Sequence, residues 1–167
     1  MYNLIYYNNA ILKKKSKNIK QNKKIKNIIK YMINTMNLNN GIGISAPQIG
    51  ININLFLYKN IYKNKYHIFI NSNIIKYFGS IKNKIEGCLS IPNIKKKIKR
   101  YNSIIIEYRN LKWEKKKKIY SSNSSRIIQH EYDHIKGILF IDLLSNKNKK
   151  KIKNKLKKIN IKYNKSM

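Results

Sequence analysis

Acidic residues are scarce in this chain: six Asp and Glu stand against 38 Lys and Arg, a formal net charge of +32 over 167 residues. Two readings account for the excess. Clustered Lys releases counterions from phosphates, which is the footprint of nucleic-acid contact. The other reading is compositional drift, because Lys, Asn, Ile and Tyr dominate even where nothing suggests a partner, and AT-rich codons encode those residues. Only Arg100, Arg109 and Arg126 are Arg. A dedicated nucleic-acid reader favours Arg more strongly, so drift carries the greater weight for the bulk of the charge. Long apolar runs are also missing. No stretch approaches the roughly 18 apolar residues that a membrane-spanning helix needs, so no membrane partner is expected. The start, Met1-Tyr2-Asn3-Leu4-Ile5, lacks the basic, then apolar, then small layout of a secretory leader. With Cys88 as the single cysteine there is no disulfide framework, which suits a reducing compartment. The expectation is the cytoplasm of a bacterium with an AT-rich genome, with an organelle stroma as the alternative. There is no internal repeat and no Pro/Ser/Gly linker. The economical organisation is one domain, with a body over 1–144 and a basic C-terminal helix and tail over 145–167 belonging to it.

Against this background the stretch Gln129-His130-Glu131-Tyr132-Asp133-His134 stands out. Two of the three histidines and two of the six acids fall here; the third histidine is His67. On a helix, residues four apart lie one turn apart on the same face, so His130 and His134 can offer two imidazole nitrogens to one metal ion. Glu131, beside the first of them, can take a proton from a water held there. The bland alternative is an amphipathic helix carrying a chance H-E-x-x-H.

The rest of the chain supplies the surroundings. The first 20 residues read as irregular. From Asn22 to Leu38, apolar Ile25, Ile28, Ile29, Met32, Ile33 and Met36 have the spacing of an amphipathic helix. Gly41-Ile42-Gly43-Ile44-Ser45-Ala46-Pro47-Gln48 reads as a Gly-rich turn between helix and strand. It also holds Gln48, an uncharged donor and acceptor suited to an oxyanion. No Gly-Lys-Ser/Thr follows, which excludes a phosphate loop. Short strands are expected over Ile51–Lys59, Tyr66–Asn71 and Ile74–Phe78, the last closed by Gly79. Cys88, in Glu86-Gly87-Cys88-Leu89-Ser90-Ile91-Pro92, is either a small buried hydrophobe or a thiolate serving as third metal ligand. Arg100–Arg109 and Trp113–Tyr120 read as a hairpin turning at Asn110, with Lys115–Lys118 on its exposed edge. The central helix is expected from near Ser124 to Gly137. A last helix, capped by Ser145, carries the stripe Ile152, Leu156 and Ile159.

The segments Gly41–Gln48, Glu86–Ser90 and Gln129–His134 resemble, in order and spacing, the three motifs of peptide deformylases. Gly137-Ile138-Leu139-Phe140-Ile141-Asp142 also looks like that family, and the resemblance covers nearly the whole chain. The departures are Ser45 where Ala is common, no Pro in the N-terminal stretch, Lys95 in a segment that often carries Arg, and Ser121–Ser125 where a Gly often precedes the helix. The resemblance implies an α+β fold with antiparallel sheets packed around a central metal-binding helix, followed by a C-terminal helix. It implies removal of the formyl group from N-formyl-methionyl nascent peptides. Cys88, His130 and His134 would hold one divalent ion: Fe(II) as the usual native metal, with Zn(II) or Ni(II) as alternatives that sequence cannot separate. Glu131 would be the general base, while the Gln48 side chain and the Leu89 backbone N–H would hold the oxyanion. Gly43 would pair with the substrate backbone. Asp133 is read in three ways: partner to a ligand histidine, partner to Arg100 or Arg126, or solvent-facing acid. Nascent chains emerge from a ribosome, so the Lys-rich last helix is expected to hold the protein near the exit tunnel. Two other classes compete. A zincin-like endopeptidase shares H-E-x-x-H but takes its third ligand downstream, and no His, Cys or Glu follows His134. A non-enzymatic RNA-binding protein leaves the clustering of His130, Glu131, His134 and Cys88 unexplained.

Overall fold

A computed structural model describes residues 3–60 and 62–164. Its elements in chain order are helix α1 (Lys24–Leu38), strands β1 (Gly43–Ser45), β2 (Leu55–Asn60), β3 (Lys65–Cys88), β4 (Ile91–Arg109) and β5 (Lys115–Ser121), then helices α2 (Ser122–Ile135) and α3 (Asn146–Asn164). Short 3₁₀ turns lie at Ala10–Lys13, Ala46–Ile49 and Phe140–Leu143. The strands pair antiparallel in the order β1-β2-β3-β4-β5, with α2 packed on them as the central helix.

The expected helices form where their apolar spacing places them. Helix α1 buries Ile25, Ile29, Met32 and Met36 against Ile44, Leu55, Leu57 and Ile70. Helix α2 lays Ile128, Tyr132 and Ile135 on an aromatic layer of Phe56, Tyr58, Phe69 and Tyr108. Helix α3 sends Ile152 and Ile159 into a third cluster with Leu12, Ile91, Ile98 and Phe140.

The strands depart from expectation in extent. Strand β3 is continuous from Lys65 to Cys88, and Gly79 does not end it. With φ +77° this glycine sits in a register shift between Phe78 and Ile81, so it bends the ribbon instead. Strand β4 begins at Ile91, well before Arg100. Its first half pairs with a stretch of β3 that is mostly exposed, and so carries no apolar alternation to reveal it. The Gly-rich stretch contributes a strand of its own, β1, on the sheet edge beside β2. Strand β5 forms the opposite edge, with its Lys run there.

The N-terminal stretch, although irregular, joins the two loops that matter most. Ile5 donates to the Gln48 carbonyl at 2.7 Å and Tyr7 to the Ser90 carbonyl at 2.8 Å. Positive φ angles that glycine often takes are supplied by asparagine, in turns at Asn8, Asn40 and Asn64 and within the strands at Asn71 and Asn93.

Candidate metal centre

Strand β3 ends in a tight hairpin, with Leu89 and Ser90 as the turn into β4. Glu86 and Cys88 are two apart and lean to the same side, toward α2. On that helix Arg126, His130 and His134 follow at intervals of four, so all three meet the hairpin. One potential ligand atom from each of Cys88, His130 and His134 lies within 4.8 Å of the others. Cys88 Sγ is 3.2 Å from His134 Nε2. These three come from segments 42 residues apart in sequence, and only the pairing of β3 with β4 under α2 unites them.

The histidine orientation is imposed by the surrounding charges. His130 Nδ1 donates to Glu86 Oε2 at 3.1 Å, which turns its other nitrogen toward Cys88. Glu86 in turn receives both Arg100 Nε and Nη2 at 3.0 Å, and also Arg126 Nη1. Burial alone would raise the Glu86 carboxyl, but hydrogen bonds from His130 and Arg100 outweigh it and hold it at about 2. Asp133 pairs with the far side of the Arg100 guanidinium and is largely buried, so it is neither a ligand partner nor a solvent-facing acid. Burial pulls the His130 pKa down. Contacts with Cys88 and Glu86 reverse this and push it up to about 10, so a cation bound here competes with a proton. His134 is held well below its ordinary value by burial and by the positive charges of His130, Arg100 and Lys13.

Two further groups face the same space. Glu131 is buried, and its Oε2 has no hydrogen-bond partner among the described residues. Burial lifts this carboxyl to about 7, against the attraction of His130 and Arg100. A Cβ on Gly43 would meet the end of the Glu131 side chain, so glycine here leaves the carboxylate its place beside β1. Gln48, at the end of the turn that follows β1, donates from Nε2 to Ser90 Oγ at 3.1 Å and lies 3.5 Å from Cys88 Sγ. Leu89 is half-buried on the same wall, its Cδ1 against Gly41. Gly43, Gln48, Cys88, Leu89, His130 and Glu131 all line one cavity of about 640 Å³, while His134 lies behind it.

The donor set fits a divalent ion. One thiolate and two imidazoles, one of them oriented by a buried carboxylate, leave an open side toward the cavity. Glu131, with its orphaned carboxylate oxygen, lines the same cavity. Sequence reasoning assigned no role to Glu86, although it is one of only six acids and lies two residues before the cysteine. Its partners Arg100 and Arg126 are 14 and 40 residues away. Their convergence is a product of the hairpin and of α2.

Comparison with known proteins agrees with this geometry. A peptide deformylase of Karelsulcia muelleri is 51% identical over 143 residues, covering 83% of this chain and 76% of that protein. The crystal structure of peptide deformylase from Plasmodium falciparum superposes with a TM-score of 0.91 at 33% identity, covering 97% of both chains. A plant peptide deformylase gives 0.92 at 32% identity, covering 99% of this chain and 92% of that one. The family model described as polypeptide deformylase matches residues 1–150, and the chain therefore belongs to that family.

Proposed function

We propose that this protein hydrolyses the formamide of N-formyl-methionyl peptides at the chain start, releasing formate and a free α-amine. The observation that carries the proposal is the Cys88–His130–His134 cluster, with Glu131 and Gln48 facing the same cavity. Cys88 Sγ and one imidazole nitrogen each of His130 and His134 would hold one divalent ion, Fe(II) being the family's usual metal, with Zn(II) or Ni(II) as alternatives. That ion, when bound, acidifies a water and polarises the formyl carbonyl. Glu131 takes the water proton as the water oxygen adds to the formyl carbon. A carboxyl lifted to about 7 is suited to accept that proton and then release it. The Gln48 Nε2 amide and the Leu89 backbone N–H hold the developing oxyanion. Glu131 then delivers the proton to the amine nitrogen as the C–N bond breaks. Gly43, on the edge strand β1, offers backbone pairing to the substrate. Exposed Ile42 and Ile85, with Ile127 of α2, form an apolar wall for the methionine side chain.

The segment 145–164 is read as part of the same domain as 1–144, supported by the burial of Ile152 and Ile159 in a shared cluster. The reducing chemistry that Fe(II) and a thiolate need suits a bacterial cytoplasm or an organelle stroma. Formate release from formyl-methionyl peptides, measured anaerobically on the Fe(II)-loaded protein, tests the reading. Turnover should be absent from non-formylated peptides and should decay on exposure to air. Cleavage of internal peptide bonds instead of formate release would overturn it in favour of an endopeptidase.

A further inference from the structure

The side-chain amide of Gln48 can act on an oxyanion only if its NH₂ end faces the cavity, and an amide can flip. In this chain the orientation is determined by Ser45. The Ser45 backbone N–H lies 2.9 Å from Gln48 Oε1, and Ser45 Oγ lies 3.0 Å from the same oxygen. A backbone N–H can only donate, so the amide end facing it must be the oxygen. The hydroxyl, facing that same oxygen, must then donate as well. Gln48 Oε1 thus receives two hydrogen bonds; one Nε2 proton is given to Ser90 Oγ at 3.1 Å, and the other lies on the side of Cys88, whose Sγ is 3.5 Å away on the cavity wall. Ser45, Gln48 and Ser90 are all essentially inaccessible to water, so no solvent competes for these bonds.

We propose that Ser45 is a positioning residue for the reaction, acting through Gln48. Its hydroxyl adds a second hydrogen bond to the amide oxygen that the backbone N–H already orients, reinforcing the donor-inward orientation and polarising the amide, so that Nε2 is a stronger donor than a singly bonded amide. The inference rests on the assignment of Gln48 as an oxyanion donor. A plain structural role, in which Ser45 only stabilises the turn Ala46–Ile49, predicts a different pattern of effects.

The test is a double-mutant cycle on the Fe(II)-loaded full chain, with kcat, KM, metal content and Tm read for each variant. Ser45→Ala should lower kcat about 3- to 10-fold, the effect of one buried neutral hydrogen bond, with KM and metal content unchanged. Gln48→Ala should cost about 10²- to 10³-fold, and adding Ser45→Ala to it should change kcat less than about twofold, because the group through which Ser45 acts is gone. Ser45→Thr and Ser45→Val have nearly the same shape, so a higher kcat for Ser45→Thr isolates the hydroxyl even if both variants lose some stability. Wild-type kcat in Ser45→Ala overturns the inference, as does equal loss in the Gln48→Ala background or equal kcat for Ser45→Thr and Ser45→Val. Wild-type turnover in Gln48→Ala instead overturns the oxyanion role on which the inference stands.

Discussion

Individual side chains divide the chemistry into holding an ion, moving a proton and orienting both. Glu131 touches the cavity but is not among the clustered ligand atoms. Glu131→Gln should therefore retain bound metal while losing about 10²- to 10⁴-fold in turnover. Ala at Cys88, His130 or His134 should remove most of the metal. Metal analysis alongside formate assays separates the two classes, and loss of metal from Glu131→Gln would mean its role is misassigned. Glu86 carries a different load. Its removal leaves the buried Arg100 guanidinium and the half-buried Arg126 guanidinium each short of a partner and frees the His130 ring. Glu86→Ala should cost about 3–5 kcal/mol in urea unfolding, the penalty for breaking a buried ion pair from one side. It should also weaken metal binding about 10- to 100-fold. Unchanged metal affinity in a folded Glu86→Ala protein would show that the His130 ring is held by packing alone.

Among the elements, the end of α2 is tightly constrained. Gly137 has φ +74°, and a Cβ there would run into the Lys13 carbonyl of the N-terminal stretch. Ser16 also donates to the Ile135 carbonyl at 2.8 Å, so that stretch closes the helix end. Gly137→Ala combines left-handed strain with a backbone collision and should destabilise by at least about 1–2 kcal/mol. A wild-type urea midpoint would rule this out. The aromatic layer under α2 makes a pH-dependent contribution. His67 stacks on Tyr58 with ring centroids 5.0 Å apart, and its buried Nε2 has no partner among the described residues. Burial, then repulsion by Lys65, Lys118 and Lys63, lowers its pKa. As pH falls below about 6.5, the ordinary histidine value, the unfolded chain takes up this proton before the native one does. The His67 contribution to stability should therefore decline with falling pH, and His67→Phe, which keeps a ring in the stack, should remove that contribution and make the pH profile of stability less steep in this direction. Parallel decline of the two proteins between pH 7.5 and 5.5 would remove His67 from the account.

On the scale of the whole molecule, the net charge of +32 has two readings, polyanion contact and compositional drift. Helix α3 buries Ile152 and Ile159 and leaves Lys147, Lys149, Lys150, Lys151, Lys153, Lys155, Lys157 and Lys158 exposed. Its last turn places Tyr163 in a stack with Tyr6, centroids 4.1 Å apart, on the rim of the catalytic cavity. Truncation after Ser145 would thus damage the core and the cavity together, which makes charge replacement the cleaner probe. Lys149, Lys150, Lys153 and Lys157 line one groove with Tyr7. Replacing these four by Gln should leave turnover of short formyl peptides intact. If α3 docks on ribosomal RNA near the exit tunnel, it should also weaken salt-sensitive ribosome association and reduce its slope in log[salt] by about 0.7–0.9 per lost phosphate contact. Association that does not change would assign the lysines to compositional drift.

Much of this was legible from sequence, and the physical reason is locality. A helix brings residues four apart together whatever surrounds it, so His130 and His134 could be read as a candidate metal-binding face, with Glu131 beside it, without any fold. The stripes of α1 and α3 were readable for the same reason, as was Gly137 at a helix end. The long ribbon of β3 and β4 was not legible, because Lys76 to Ile85 lies largely exposed, and its pairing comes from backbone hydrogen bonds with a strand far along the chain. The role of Glu86, the choice of Arg100 as partner to Asp133, the contact of Gly43 with Glu131 and the orientation of Gln48 by Ser45 were likewise decided only in three dimensions. Cys88 stands between the two cases. Its place in a recognisable motif made it a candidate, but a thiol 42 residues from the nearest of its two histidine partners becomes part of their site only when a hairpin and a helix are packed face to face. Local periodicity is written in the order of the residues; convergence of distant buried charges depends on which surfaces the core brings into contact.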